Sequence, residues 1–138
     1  MRPAVSQDEI RVAIRSDVDI VYARKKGREL ASELGFSSME LALIATAISE
    51  LARNIVRYAR EGEVNFKLIE RGDKRGVRIV ARDKGPGIRD IALAMQDGYS
   101  TSNGLGLGLP GARRLMDEFE IVSKIGEGTT VTIKKWLR

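Results

Sequence analysis

Residues 37–59 read SSMELALIATAISELARNIVRYA, and this stretch decides the fold. Ser37 and Glu40 form the pattern of a capping box, in which each side chain binds the backbone amide of the other residue. Apolar side chains then recur at the spacing of a helix with one buried face. These side chains are Leu41, Ile44, Ile48, Leu51 and Ile55. The stretch therefore predicts the longest helix of the chain, at about residues 38–59.

The same helix carries a polar pair away from its apolar face. Glu50 and Asn54 are four residues apart, so they lie one turn from each other on one side. A carboxylate can accept a proton from a hydroxyl, and a carboxamide oxygen is a suitable ligand for Mg²⁺. A solvated polar stripe would have the same spacing, so this pair alone does not decide the function.

The remaining elements follow in an order that predicts the fold class. Residues 9–14 alternate as in a strand, and Asp17 is expected to cap a helix that ends near Leu34, before Gly35. Two hairpins are predicted, with strands at 63–70 and 77–83 and at 119–125 and 129–136, and short helices at 89–95 and 109–116. The order predicts an α/β fold, a two-layer sandwich of a mixed, mainly antiparallel sheet with helices on one face. We expect a single domain over residues 1–138.

A carboxylate and two glycines end one of these strands. Asp83 lies on the apolar side of its strand, where an ionised carboxylate is costly to bury unless it binds a partner. Gly85 and Gly87 follow and let the backbone pass close to a ligand. A tight turn that begins with Asp accounts for the same residues. The functional alternative is a pocket in which Asp83 accepts a hydrogen bond from a ring amino group, such as that of adenine.

A second glycine-rich segment, residues 103–111, reads NGLGLGLPG and precedes a predicted helix. Alternating glycines before a helix can direct backbone N–H groups at an anion, with support from the helix dipole. This favours a phosphate-binding loop at Gly104, Gly106 and Gly108, with the Thr101 hydroxyl nearby, although a flexible loop would have the same composition. The segment lacks the preceding strand of a dinucleotide fingerprint, and the chain has no Gly-Lys-Ser/Thr of a P-loop.

Composition excludes several kinds of site. The 138 residues include no cysteine and no histidine, which excludes disulfides, thiol nucleophiles, a Ser-His-Asp triad and zinc sites built on those ligands. The formal net charge is +5, but the cations are interspersed with 19 acidic residues and aromatic residues make up only 5%, so we expect no nucleic-acid partner. We also expect no membrane partner and a cytoplasmic location, because no apolar run is long enough for a signal or a span.

The order of these motifs resembles that of the GHKL superfamily of gyrase, heat-shock chaperones, histidine kinases and MutL. Residues 50–54, ELARN, resemble its N box, and residues 83–87, DKGPG, resemble its G1 box. Residues 104–108, GLGLG, resemble its G2 box. The resemblance covers essentially the whole chain and implies the Bergerat ATP-binding fold.

Longer phrases resemble the RsbT-type switch kinases within that superfamily. These phrases are AISELARN at 47–54, DGYSTS at 97–102, GLGLPG at 106–111 and RLMDEF at 114–119. The resemblance implies a serine/threonine protein kinase that uses ATP and Mg²⁺ to phosphorylate STAS-domain proteins of the RsbS and RsbR kind in a stressosome-like module. It also implies that the released kinase activates a PP2C-type phosphatase similar to RsbU.

Carried over to this sequence, the resemblance implies a role for each motif residue. Glu50 is expected to be the catalytic carboxylate that positions or deprotonates the acceptor hydroxyl, and Asn54 to bind Mg²⁺. Asp83 is expected to bind the adenine amino group, with the Thr129 hydroxyl nearby. The expected ATP-binding residues are Asn54, Asp83, Gly85, Gly87, Thr101, Gly104, Gly106, Gly108 and Thr129.

Three other functions remain open on the sequence. An anti-sigma factor kinase that sequesters a sigma factor would share the fold and the boxes, although the RsbT-like phrases argue against it. An ATP-dependent binding module without phosphotransfer would have no need of Glu50. Nucleic-acid binding is suggested by the net charge alone and would be salt-sensitive.

Overall fold

The computed structural model describes residues 9–88, 95 and 108–138, which contain five strands and three helices. The strands are β1 Ile10–Ile14, β2 Gly62–Arg71, β3 Lys74–Asp83, β4 Glu118–Lys124 and β5 Gly128–Trp136. The helices are α1 Asp17–Leu34, α2 Ser38–Tyr58 and α3 Gly108–Leu115. The helix predicted at 89–95 and the loop residues Thr101, Gly104 and Gly106 lie outside the described residues, apart from Met95.

The strands form one sheet in the order β1-β2-β3-β5-β4, and each neighbouring pair is antiparallel. The predicted mainly antiparallel sheet is therefore confirmed, and no parallel pair occurs among the described strands. The loop between β2 and β3 is shorter than the predicted turn, because Arg71 already pairs with Lys74. Only Gly72 and Asp73 connect the two strands, and Gly72 has a positive φ of 63°, as tight hairpins require.

The hydrophobic core lies between one face of the sheet and the helices. Alternate residues of the central strands point into it, as the period of two in a strand requires. The fully buried side chains from the sheet include Val64, Phe66, Val77, Ile79 and Ile133, and those from α2 include Ile44, Ile48, Leu51 and Ile55. The predicted apolar face of α2 is thus the face that covers the sheet. Within the described residues, no helix is both long and apolar enough to span a membrane.

The two long helices begin in different ways. The capping box of α2 is confirmed, since the Glu40 amide donates to Ser37 Oγ at 3.2 Å and the Ser37 amide donates to Glu40 Oε1 at 3.4 Å. The predicted cap of α1 is wrong by one residue: Ser16 is the N-cap, without a side-chain cap bond, and Asp17 is already helical. Asp19, in the first turn of α1, provides a side-chain hydrogen bond at this end of the helix: its Oδ2 accepts from the backbone amide of Arg15, just before the helix, at 2.8 Å.

A glycine in the middle of α1 determines how closely that helix approaches the core. A Cβ at Gly27 would overlap Ile48 Cδ1 of α2 and would lie 2.7 Å from Phe66 Cε1 of β2. Both neighbours are fully buried. The absence of a side chain at Gly27 therefore lets α1 pack closely against both α2 and the sheet. The helix ends at Gly35, whose φ of 97° is that of the predicted C-cap.

Candidate active site

Helix α2 brings the predicted polar pair to the inner part of the molecule. Glu50 is only 7% exposed, Asn54 is half-buried one turn later, and Thr46, one turn before, is exposed. The stripe is therefore not simply a solvated face of the helix. A buried carboxylate requires hydrogen-bond partners, and Glu50 has two within the part of the chain that the structure describes.

The partners of Glu50 come from α2 itself and from the start of α3. Gly108 N–H donates to Glu50 Oε2 at 2.8 Å, and Arg53 Nη1 donates to Oε1 at 2.6 Å. Gly108 is the first residue of α3, where the helix dipole favours a negative charge. Two residues predicted for different tasks, the carboxylate and a phosphate-loop glycine, thus contact each other. Arg53 was not predicted as a site residue, although its spacing of three residues from Glu50 is that of an ion pair on a helix.

The second predicted carboxylate lies at the end of β3. Asp83 is half-buried, and its Oδ1 accepts from the Gly85 amide at 2.9 Å and from the Thr129 amide at 3.3 Å. Among the described residues, no donor forms a hydrogen bond with its Oδ2. One oxygen is therefore used to hold the loop and the last strand together, and the other can accept a hydrogen bond from a ligand.

The two glycines after Asp83 occupy positions with no room for a side chain. A Cβ at Gly85 would lie 2.6 Å from the Cβ of Ala59, the residue that ends α2. Gly87 has a positive φ of 81°, and its Cβ would lie 2.8 Å from the carbonyl carbon of Lys124. The loop is therefore held tightly between α2 and the β4–β5 hairpin, as a pocket wall made of backbone requires.

Ser123 on β4 joins this loop to the start of β5, and nothing in the sequence motifs indicated it. Its Oγ accepts from the Ile88 amide at 2.7 Å and lies 2.7 Å from the hydroxyl of Thr129. Thr129 is 5% exposed, as expected for a residue that shares the inner side of the sheet with Asp83. In this structure the Thr129 hydroxyl is thus already hydrogen-bonded within the protein.

These contacts place the predicted residues at two levels along the C-terminal half of α2. Glu50 and Gly108 lie near the middle of the helix, and Asp83, Gly85 and Thr129 lie near Ala59 at its C-terminal end. Ala59 follows Glu50 by nine residues, a rise of about 14 Å, and Asn54 lies between them. Within the described residues, no three acidic side chains converge on a metal site. A cation at Asn54 would therefore draw further oxygen ligands from a bound molecule and from water, as Mg²⁺ commonly does.

A separate open concavity of about 260 Å³ lies on the other side of the sheet. It is lined by Ala13, Arg15, Glu61, Gly62, Glu63, Arg82, Asp83 and Lys84. Ala13, Glu63 and Arg82 are opposite one another on β1, β2 and β3 and alternate with core residues, so they point away from the helices. The concavity includes neither Glu50 nor Asn54; it shares only Asp83, at the end of β3, with the site described above.

Residues 14–135 match the family of histidine kinase-like ATPase domains. The chain belongs to this family. It is 53% identical over 131 residues to the serine/threonine-protein kinase RsbT of Bacillus subtilis (strain 168), and the match covers 95% of this chain and 98% of RsbT. It is also 32% identical over 122 residues to the anti-sigma F factor of Thermoanaerobacter sp. (strain X514), covering 84% of each chain.

Two solved structures share the fold at low sequence identity. A crystal structure of the RsbU and RsbW domains of Rv1364c from Mycobacterium tuberculosis matches with a TM-score of 0.65 and 22% identity, covering 96% of this chain and 34% of that one. The SiaB–SiaC complex from Pseudomonas aeruginosa matches with a TM-score of 0.54 and 14% identity, covering 96% of this chain and 91% of that one.

The predicted RsbT-type resemblance is confirmed by the similarity to RsbT, and the chain is an ATP-using protein-serine/threonine kinase.

Proposed function

We propose that this kinase uses Mg²⁺-ATP to phosphorylate a serine or threonine of STAS-domain partner proteins, with Glu50 as its catalytic carboxylate. The observation that carries this proposal is the buried Glu50 carboxylate bonded to the amide at the N-terminus of α3. A carboxylate costs free energy to bury, and this one lies where helix N-terminal amides favour anions. Both features suit a site where a phosphoryl group and a proton acceptor meet.

The described residues fit a bound nucleotide. Asp83 Oδ2 is available for the adenine amino group, while Oδ1 holds the amides of Gly85 and Thr129. The tight contacts at Gly85 and Gly87 form a wall against which a ring can lie. Asn54 is half-buried between the two ends of the site, where its amide oxygen can bind Mg²⁺. ATP supplies the phosphoryl group, and Thr101, Gly104 and Gly106 complete the proposed phosphate-binding loop with Gly108.

Glu50 and Gly108 have linked roles in this scheme. A backbone N–H is a single donor, so Gly108 N–H can bind Glu50 Oε2 or a phosphate oxygen, but not both well. When Gly108 binds a phosphate oxygen, Glu50 Oε2 is free to accept the proton of the serine or threonine hydroxyl. Arg53 keeps the other carboxylate oxygen in place through its 2.6 Å bond. The remainder of the chemistry is positioning and charge neutralisation, as is usual for phosphoryl transfer.

The proposed partners follow from the similarity to RsbT. We assign STAS-domain proteins of the RsbS and RsbR kind as substrates, and a PP2C-type, RsbU-like phosphatase as a protein that the released kinase activates. The relatives named anti-sigma F factor support a second candidate, a kinase that sequesters a sigma factor. Their identity of 32% against 53% for RsbT favours the first assignment.

Phosphate transfer from γ-labelled ATP to a purified STAS-domain protein tests the proposal. Glu50→Gln retains an oxygen acceptor for the Gly108 amide but removes the carboxylate charge and its proton affinity. We expect the transfer rate to fall about 10²- to 10⁴-fold, with ATP affinity changed less than about threefold. Glu33→Gln, an exposed change on α1, is the matched control and should transfer at the wild-type rate.

Two results would contradict this scheme. Wild-type transfer by Glu50→Gln would remove the catalytic role of the carboxylate. Absence of label on the STAS-domain protein, together with intact ATP binding and tight binding of a purified sigma subunit, would instead support the anti-sigma candidate.

A further inference from the structure

The sheet face turned away from the helices carries a row of three cations, of which only the last faces an acidic residue among the described strands. Lys67 on β2 lies opposite Arg78 on β3, and Arg78 lies opposite Lys134 on β5. Their sequence neighbours Phe66, Ile79 and Ile133 are fully buried in the core, so these three side chains point outward. Like charges directly opposite each other destabilise a sheet. The row therefore lowers the stability of the protein when no partner is bound.

The acidic residue at the end of the row is already engaged. Glu118 lies opposite Lys134 on β4, and its carboxylate accepts from Trp136 Nε1 at 2.6 Å and from Arg71 Nη1 at 2.9 Å. Lys134 Nζ lies 3.8 Å from it and shares the same carboxylate. Lys67 and Arg78 have no acidic partner among the described residues.

Two buried polar atoms on this face also lack hydrogen-bond partners among residues 9–88, 95 and 108–138. Nε of Arg78 is buried and forms no hydrogen bond, although the rest of the side chain is partly exposed. Asn65, which precedes Lys67 by two residues on the same face, is 4% exposed, and its Oδ1 has no donor. Buried polar atoms in folded proteins are normally paired with protein or water, so these two atoms add polar groups to a face that already carries unpaired cations.

We propose that this outer face binds an acidic helical segment of a partner protein, whose carboxylates pair with Lys67, Arg78 and Lys134. Neighbouring strands are about 4.8 Å apart, and side chains at i and i+4 on a helix are about 5–6 Å apart, so one helix face can supply a carboxylate for each cation. The guanidinium of an arginine can bind a carboxylate with charge-assisted hydrogen bonds.

A second copy of this chain or a nucleic acid fits this face less well than an acidic helix does. A second copy of this chain placed face to face would bring one cationic row against another. A nucleic acid would find no exposed aromatic ring on this row for base stacking, because Trp136, the single tryptophan, is buried beneath the guanidinium of Arg71 at 4.6 Å. The face is also separated by the sheet from Glu50, so a partner can bind there without displacing a nucleotide.

A labelled 16-residue peptide with glutamate at every fourth position, made helical by alanine, is a suitable probe. We expect it to bind the full chain by fluorescence anisotropy and to change the fluorescence of Trp136, which shares Glu118 with Lys134. The double variant Lys67→Gln/Arg78→Gln should bind at least about tenfold more weakly, because two charged hydrogen bonds are removed. The control pair Lys25→Gln/Arg28→Gln, exposed on α1, should change binding less than about twofold.

Thermal unfolding without the peptide provides an independent measurement. Because the row is repulsive in the free protein, Lys67→Gln should leave the melting temperature unchanged or raise it. A lowered melting temperature would show that the row stabilises the free fold and would overturn the proposal. Equal loss of peptide binding in the control pair, or tighter binding of a DNA duplex than of the peptide, would also overturn it. Unchanged ATP binding in the double variant separates these outcomes from a defect in the nucleotide site.

Discussion

The substitution Asp83→Asn tests the role of a single atom, Asp83 Oδ2, in the proposed nucleotide site. The asparagine retains an Oδ1 that can accept from the Gly85 and Thr129 amides, so the loop and β5 stay in place. At the Oδ2 position it presents an NH₂ donor to the adenine amino group, which is also a donor. A hydrogen bond to a charged group contributes about 1.5–3 kcal/mol, so ATP affinity should fall about 10- to 150-fold.

Calorimetric titration with ATP and Mg²⁺ measures this loss, and urea unfolding of the nucleotide-free protein provides the control. The Asn variant should unfold within about 0.5 kcal/mol of the wild type. Asp83→Ala should lose ATP affinity and also stability, because the Gly85 and Thr129 amides lose their shared acceptor. Unchanged ATP affinity in Asp83→Asn would show that Oδ2 does not bind the nucleotide and would refute this model of the adenine pocket.

Three further predictions concern the helix contact, the catalytic carboxylate and a surface cluster. Gly27→Ala should destabilise the fold by about 1 kcal/mol in urea unfolding, because overpacking against the core outweighs the gain in helix propensity; a stabilised variant would contradict the contact. Arg53→Ala should lower kcat about tenfold with little change in KM for ATP, because Glu50 loses the partner that orients it, whereas a pure KM effect would contradict this positioning role. The Trp136 indole and a neighbouring guanidinium hold the pKa of Glu118 below its ordinary 4.5, so the stability from this contact is present above pH 4.5 and is lost as the pH falls through the lowered pKa. Trp136 fluorescence should therefore change with a midpoint below pH 4.5, and Glu118→Gln should abolish that transition.

Much of this architecture follows from local patterns in the sequence. The capping box at Ser37 and Glu40 and the apolar spacing of α2 are set by interactions within one helix, so they were predicted to within a residue. The αL glycine at Gly35 is a local feature of the same kind. The cap of α1 was misplaced by one residue because Ser16 and Asp17 are both favourable N-cap residues. Which of them is the N-cap depends on the position of the chain as it leaves β1.

The contacts within the site depend on distant segments and could not be derived in this way. Glu50 and Gly108 are 58 residues apart in sequence, and only the packing of α3 against α2 brings the amide to the carboxylate. Ser123 is 35 residues from the amide that it binds at Ile88. The family motifs indicated the site residues near the middle and at the C-terminal end of α2, but they carry no information about which of these residues bind each other in the protein.

The cationic row shows why strand register adds information that composition hides. In the sequence, the basic residues are dispersed among acidic ones, and that dispersion argued against a nucleic-acid partner without indicating any local cluster of cations. Lys67, Arg78 and Lys134 lie on three strands, and their alignment appears only once the β2–β3 and β3–β5 registers are known. A shift of either register by one residue would turn one of these side chains toward the core and pair the others differently. The row is thus tied to the same registers that direct Val77 and Ile79 into the core, so a sequence that keeps this core also keeps the three backbone positions aligned.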